Sequence, residues 1–302
     1  SPAPRPPRWI PPARTESSAY SLPPVDGVLD SLAHPPLLLA MDGSEMGRKC
    51  MTLMVSVIYK KRALPIAWIV VQGSSGHFAE ETHVALIERV HAIVPQGCDV
   101  IFLGDGEFDG TTLQATLTAY GWEYVCRTAK NAQVCDQDDQ FSLHEVDVQP
   151  GSCIGLHGVS LTHQAYGPVL AIAWWKVECP EPIYLVTNMV LVAEACYWYE
   201  KRFRIETFFS DQKSRGFNMQ KSHISDPERL SRLMIAACLA YIWIIYLGVL
   251  AKRDGWVKIV HRTDRCDLSL FQLGLDLLEH FMNEHLFIPV AFQMPIPAQS
   301  VR

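Results

Sequence analysis

The 302-residue chain carries nine cysteines, but no two stand closer than nine residues, so it contains no Cys-x-x-Cys pair. Its eleven histidines form neither a His-Glu-x-x-His motif nor a Cys/His grouping at zinc spacing, which removes zinc modules and zincin-type hydrolases from consideration. No secretory apolar segment is visible near the N-terminus. The cysteines therefore read as free thiols of a protein in a reducing cytosol. The longest uncharged apolar run is Leu233 to Ala251, nineteen residues, of which Ile235 to Ala251 make up seventeen. That lies at the short end of the range for a membrane crossing, and we read it as a fully apolar helix buried in the core. Its flanks, Asp226-Pro227-Glu228 before and Lys252-Arg253 after, suit the two ends of a helix dipole. Positive charge is also scarce overall, with a net charge of −6, and no internal repeat is apparent.

Charge distribution qualifies the total. Between residues 131 and 195 one lysine, Lys176, faces eight acids, whereas between 196 and 232 eight cations face five acids. A locally basic stretch is what binding of phosphates requires, whatever the whole-chain sum.

The length accommodates one large domain or one domain with an insertion. Residues 1–36 hold ten of the twenty prolines and read as an extended or disordered leader. Residues 37–130 read β-β-β-α-β-α-β, with apolar strand-like runs at 37–41, 50–59, 64–71 and 100–104 and helices near 78–94 and 109–120. This order predicts an α/β fold, a mixed sheet of RNase H-like type flanked by helices. Residues 131–192 break into short β-type runs (159–162, 169–177, 183–187) and read as an inserted β-rich subdomain. The chain then turns helical from 193, through a core helix near 226–252 and a last one near 267–283, with 193–255 completing the core and 256–302 forming a C-terminal helical tail.

Three carboxylates stand out against this frame. Asp42 follows the apolar run Leu37-Leu38-Leu39-Ala40-Met41, and Asp105 follows Val100-Ile101-Phe102-Leu103-Gly104. Strand ends open to solvent while the sheet fixes their position, so acids there are well placed for a site. Asp and Gly after a strand are also ordinary turn residues. Glu107 and Asp109 are acidic alternatives beside Asp105. The third carboxylate is Glu206, within Tyr199-x2-Arg202-x3-Glu206-x6-Lys213. On one continuous helix these four residues would share a stripe about 60° wide. Such a stripe also describes a solvated salt-bridge face.

This Tyr-Arg-Glu-Lys spacing, with Asp42 and Asp105 upstream, resembles the signature of cut-and-paste DDE transposases of the insertion-sequence-4 type. The resemblance covers residues 37 to about 250. Leu64-Pro65-Ile66-Ala67-Trp68 is similar to the family's second hairpin segment. Gly76-His77-Phe78 leading into Leu86-Ile87-Glu88 is similar to its first long helix, and Gly121 to Arg127 to the strand before its insertion. Gly106 departs from the pattern, because the family usually has arginine directly after the second catalytic aspartate.

The resemblance implies that Asp42, Asp105 and Glu206 are catalytic and hold two Mg²⁺ (or Mn²⁺) ions, and that Tyr199, Arg202 and Lys213 contact DNA phosphates. It implies transposon-end and target DNA as partners, a homodimer in a synaptic complex, and a bacterial cytoplasmic, nucleoid-associated setting. Trp174 and Trp175 are candidates to stack on an extruded base or are plain strand aromatics. An RNase H-like nuclease without strand transfer, and an inactive or domesticated DNA-binding copy, remain as rival readings.

Overall fold

The computed structural model describes residues 19–291, apart from 23–24, 34–35, 74–77, 138, 163, 214 and 263–265. In chain order its elements begin with β1 (Tyr20–Ser21), α1 (Val25–Leu32), β2 (Leu37–Gly47), β3 (Cys50–Tyr59), β4 (Arg62–Gln72), α2 (Glu80–His91), β5 (Val100–Gly104), α3 (Thr111–Ala119) and β6 (Glu123–Thr128). They continue with β7 (Gln133–Asp136), β8 (Asp139–Ser142), β9 (Cys153–Leu161), β10 (Tyr166–Trp174), β11 (Ile183–Thr187), α4 (Val192–Tyr199), α5 (Arg204–Gln212), α6 (Pro227–Arg253), α7 (Val257–Val260) and α8 (Leu270–Asn283).

One eleven-stranded sheet runs β1-β4-β3-β2-β5-β6-β11-β10-β9-β7-β8. Strands β2, β3 and β4 form an antiparallel meander, while β2, β5 and β6 pair in parallel. Parallel neighbours need a crossover, and α3 supplies the one between β5 and β6. All five residues of β5 and the first five of β2 are buried. Continuous burial of this kind means that both faces are covered, as expected for a mixed α/β sheet.

Three departures from the sequence reading have physical causes. The strands after residue 130 do not form a separate sheet: β11 pairs antiparallel with β6, and β10, β9, β7 and β8 continue the same sheet outward. The proline-rich leader is partly folded. β1 pairs with β4, Tyr20 stacks on Trp68 with ring centroids 6.2 Å apart, and α1 buries Val28 and Leu29 completely. The apolar spacing Val28, Leu29, Leu32 is helical, but flanking prolines obscured it; residues 1–18 of that leader lie outside the described residues. Finally, the helix expected to carry the four-residue stripe is interrupted. α4 ends at Tyr199 and α5 starts at Arg204. Between them backbone bonds run from Lys201 to Trp198, Arg202 to Tyr199, Arg204 to Lys201 and Ile205 to Arg202. These i to i+3 bonds tighten the chain into a 3₁₀-like turn, which shifts the angular spacing of its side chains.

The apolar run becomes α6, capped by Asp226, whose carboxylate accepts a hydrogen bond from the Arg229 N–H at 2.7 Å, with Pro227 in its first turn. α6 packs on β4 and on α8. Gly248 lies against the Leu270 carbonyl and Gly274 against the Ile244 carbonyl, so any side chain at either glycine would force the helices apart. A buried ion pair, Arg62 to Asp211 at 2.5 Å, with the Tyr241 hydroxyl also donating to Asp211, joins β4, α5 and α6.

Candidate active site

The parallel register of β2 and β5 fixes the first pair. Ala40 pairs with Leu103, where the ladder ends. Two residues further along each chain, at the same level, stand Asp42 and Asp105. There β2 leaves its parallel neighbour and continues beside β3 alone, with Asp42 opposite Met54. Asp42 is thus inside a strand rather than after one, at the fork where the sheet opens. Both aspartates are half-buried.

Local contacts hold them. An Asp42 oxygen accepts the Gly43 N–H at 2.7 Å, and Asp105 accepts the Glu107 N–H at 2.9 Å. Gly43 has no room for a side chain, because a Cβ there would meet the Phe78 ring at 2.7 Å. Phe78 is in turn clamped by Glu107, which accepts its N–H at 2.5 Å and lies 3.6 Å from the His83 ring nitrogen. Glu107 therefore supports the pair from behind. Asp109 is likewise engaged, accepting the Thr128 hydroxyl at 2.6 Å, and burial raises its pKa. Gly76 and His77 of the family-like segment leading into that helix lie outside the described residues.

Asp42 senses both of the other carboxylates. Asp42 is pushed up to about 6, first by burial and then by the Asp105 carboxylate, with Glu206 adding; the Gly43 N–H and Arg202 oppose this. A pair of half-buried like charges is a donor set that a hard dication suits, since it prefers oxygen ligands and removes the repulsion. The third carboxylate does not close on that pair. Glu206 is 55% exposed and is drawn to Arg202 at 3.2 Å. Among the described residues, no three His, Cys, Asp or Glu side chains stand together at metal-holding spacing.

The remaining signature residues divide by exposure. Tyr199 is only 1% exposed, so its phenol has almost no surface to offer a phosphate. Burial raises its pKa, against Arg202 and Arg127 nearby, and the Asp105 carboxylate adds to the rise. Arg202 is 7% exposed; its guanidinium lies 4.5 Å from the Phe203 ring centroid and 6.0 Å from that of Tyr199, and its Nε has no hydrogen-bond partner among the described residues. Lys213, at the end of α5, is half-buried and donates to the Ser44 hydroxyl at 2.6 Å. Desolvation lowers its pKa, while Glu45 and Asp42 raise it. Ser44 shares a strand face with Asp42 by the two-residue period. Sequence reading passed over Ser44, although that period could have found it, and it passed over the Glu107 clamp, which no local pattern announces.

Gly106 is exposed, and a Cβ built on it meets nothing within 4 Å. A side chain could therefore start at this position without a clash at its Cβ. Trp174 and Trp175 are both half-buried at the end of β10; Lys176 covers the Trp174 ring at 4.4 Å, and the Trp175 indole N–H donates to the Cys179 carbonyl at 3.0 Å.

Among solved structures, the chain is similar to the piggyBac transposase synaptic complex with hairpin DNA, at 12% identity and a TM-score of 0.46. The match covers 89% of this chain and 59% of that one, so this chain spans well under two thirds of its length. It is similar also to human ENDOV, at 16% identity and a TM-score of 0.32, covering 63% of this chain and 86% of that one. No curated protein matches the chain. Residues 33–243, more than two thirds of the sequence and the whole of the site just described, match the transposase DDE domain. The chain belongs to the transposase DDE domain family.

Proposed function

We propose that this chain is the catalytic core of a transposase of the insertion-sequence-4 type, which cleaves DNA at transposon ends and joins it to a target. The observation that carries this reading is the pairing of Asp42 with Asp105 at the fork of the sheet. The raised pKa of Asp42 there responds to both Asp105 and Glu206. Asp42, Asp105 and Glu206 would hold two Mg²⁺ (or Mn²⁺) ions. Such ions, when bound, neutralise charge building on a phosphodiester and ease deprotonation of the attacking hydroxyl.

The protein's own residues have separable parts. The sheet register sets Asp42 and Asp105 side by side before any ligand arrives. Arg202, buried and bonded to Glu206, positions that carboxylate. Tyr199 acts through Arg202 as a packed support rather than as a phosphate contact. Lys213, braced on Ser44 next to Asp42, contacts a backbone phosphate of the DNA end. The partners are transposon-end and target DNA, met as a homodimer on the bacterial nucleoid.

The test uses DNA carrying the sequences that flank this chain's own gene. With Mg²⁺ the protein should produce 3′-hydroxyl ends at the element border and joined products, and Asp42→Asn should produce neither. Cleavage without joining would assign a nuclease; DNA binding without cleavage would assign an inactive copy. Equal cleavage by Asp42→Asn would remove the site from the account.

A further inference from the structure

A second reactive cluster lies away from the carboxylates. Cys153 opens β9 and is exposed; Cys196 lies in α4 and is buried. Their sulfurs are 3.6 Å apart. The backbones that carry them are also close. Gly155, two residues beyond Cys153 and on the same strand face, has its Cα against the Val192 side chain, four residues before Cys196 on α4. Two successive contacts, Gly155 with Val192 and Cys153 with Cys196, thus run along one strand–helix seam. Closing the sulfurs to a bond needs side-chain rotation and a small adjustment rather than rearrangement of either element. Nothing in the carboxylate chemistry uses these thiols.

We propose that Cys153 and Cys196 form a reversible disulfide when the protein meets a hydroperoxide, and that this bond clamps β9 to the helix leading into the signature turn. Exposed Cys153 is the thiol that reacts first. The Cys196 thiol hydrogen-bonds to it and lowers its pKa, while that same hydrogen bond and then burial raise that of Cys196. The Cys153 thiolate attacks one peroxide oxygen, the O–O bond breaks, and the leaving alkoxide or hydroxide takes a proton from water, leaving Cys153 as a sulfenic acid. Cys196 then loses its proton, and its sulfur displaces hydroxide from Cys153 to give the disulfide and water. Two electrons pass from the two thiols to the peroxide.

The clamp matters because the same seam already approaches the site. The Lys176 ammonium pairs with Glu200 at 2.5 Å, and Glu200 is the first residue of the tight turn that holds Arg202. A covalent tie four residues earlier, at Cys196, restrains the element from which that turn departs.

The experiment uses the full reduced chain, treated with hydrogen peroxide, blocked with an alkylating agent and mapped by mass spectrometry without reductant. The expected result is a Cys153–Cys196 cross-linked peptide that appears before exposed Cys266 is modified and disappears with dithiothreitol. In Cys196→Ser, Cys153 should stop at a sulfenic acid that dimedone traps. Amides of residues 198–205 should exchange more slowly in the oxidised wild type than in the reduced protein. Oxidation of Cys153 no faster than Cys266, cross-links mainly between chains, or unchanged exchange at 198–205 would each overturn the proposal. None of these readouts depends on DNA cleavage.

Discussion

Two of the site's carboxylates are placed by strands, Asp42 inside β2 and Asp105 directly after β5, and the third by a helix, and the two supports differ in kind. Asp42 and Asp105 are fixed by a parallel ladder running from Leu37 with Val100 to Ala40 with Leu103, in strands buried at every position of that stretch. A one-residue slip there would turn Asp42 to the other face, so the buried pattern specifies the pair strongly. Glu206 has no such ladder. It sits on a nine-residue helix behind a 3₁₀-like turn, exposed, and tied to the fold by the opposite face of α5: Ile205, Phe208 and the buried Asp211–Arg62 pair. The strand pair is preorganised, and Asp42 within it is strained by burial and by its neighbour's charge. The helix carboxylate is exposed and paired with a cation. The contrast teaches that half of this site is built by topology and half by side-chain bonds.

The largest effect should come from the strand side. Asp105→Asn should lower Mg²⁺-dependent cleavage by more than about 100-fold, beyond the loss expected for removing a residue that only supports a ligand. A milder loss would shift the role to a neighbour. On the helix side, Arg202→Ala should cost roughly 10–100-fold in cleavage, because it releases Glu206 without deleting it. Arg202→Lys should recover only part, since a lysine cannot reproduce the planar fork. Full activity in Arg202→Ala would mean that Glu206 needs no such hold.

Stability tests the strain. The folded pKa of Asp42, about 6, lies above its usual 3.8, so folding favours the protonated form. Its contribution is present below about pH 4 and is lost as the pH rises through 6. For metal-free protein at pH 7.5 this costs roughly 1–2 kcal/mol after allowing for partial exposure. Asp42→Asn should therefore raise the metal-free Tm at pH 7.5 and flatten its dependence between pH 4 and 7; an unchanged profile would deny the strain. The smallest effect is expected at Lys213. Lys213→Ala should reduce the slope of log K against log salt for duplex DNA by about 0.9, one phosphate contact, whereas Glu206→Gln should leave that slope unchanged.

Much of the core was legible because its signals are local. The run at 100–104 is β5, the hairpin turn falls at Lys60-Lys61, and the apolar stretch before Lys252 is α6. What escaped depends on partners. Glu200-Lys201-Arg202 are strong helix formers, so nothing in their own chemistry marks the tight turn between α4 and α5. β2 continues past Asp42 because β3 pairs with it, which the Gly43-Ser44 turn signal concealed. β11 joins β6 across some sixty residues of chain, so the sequence could mark strands there but not their sheet. For the site, spacing singled out the residues, but not that Tyr199 and Arg202 would be buried while Lys213 remained beside Asp42.

The central claim is that Asp42 and Asp105 form a ready-made half of a divalent-metal site. A thermal-shift titration with Mn²⁺ in the absence of DNA addresses it directly, because any ligand that prefers the folded state raises Tm with concentration. A saturable rise is expected for the wild type, abolished in Asp42→Asn and Asp105→Asn and weakened but retained in Glu206→Gln. A rise in Asp42→Asn equal to that of the wild type would contradict the claim.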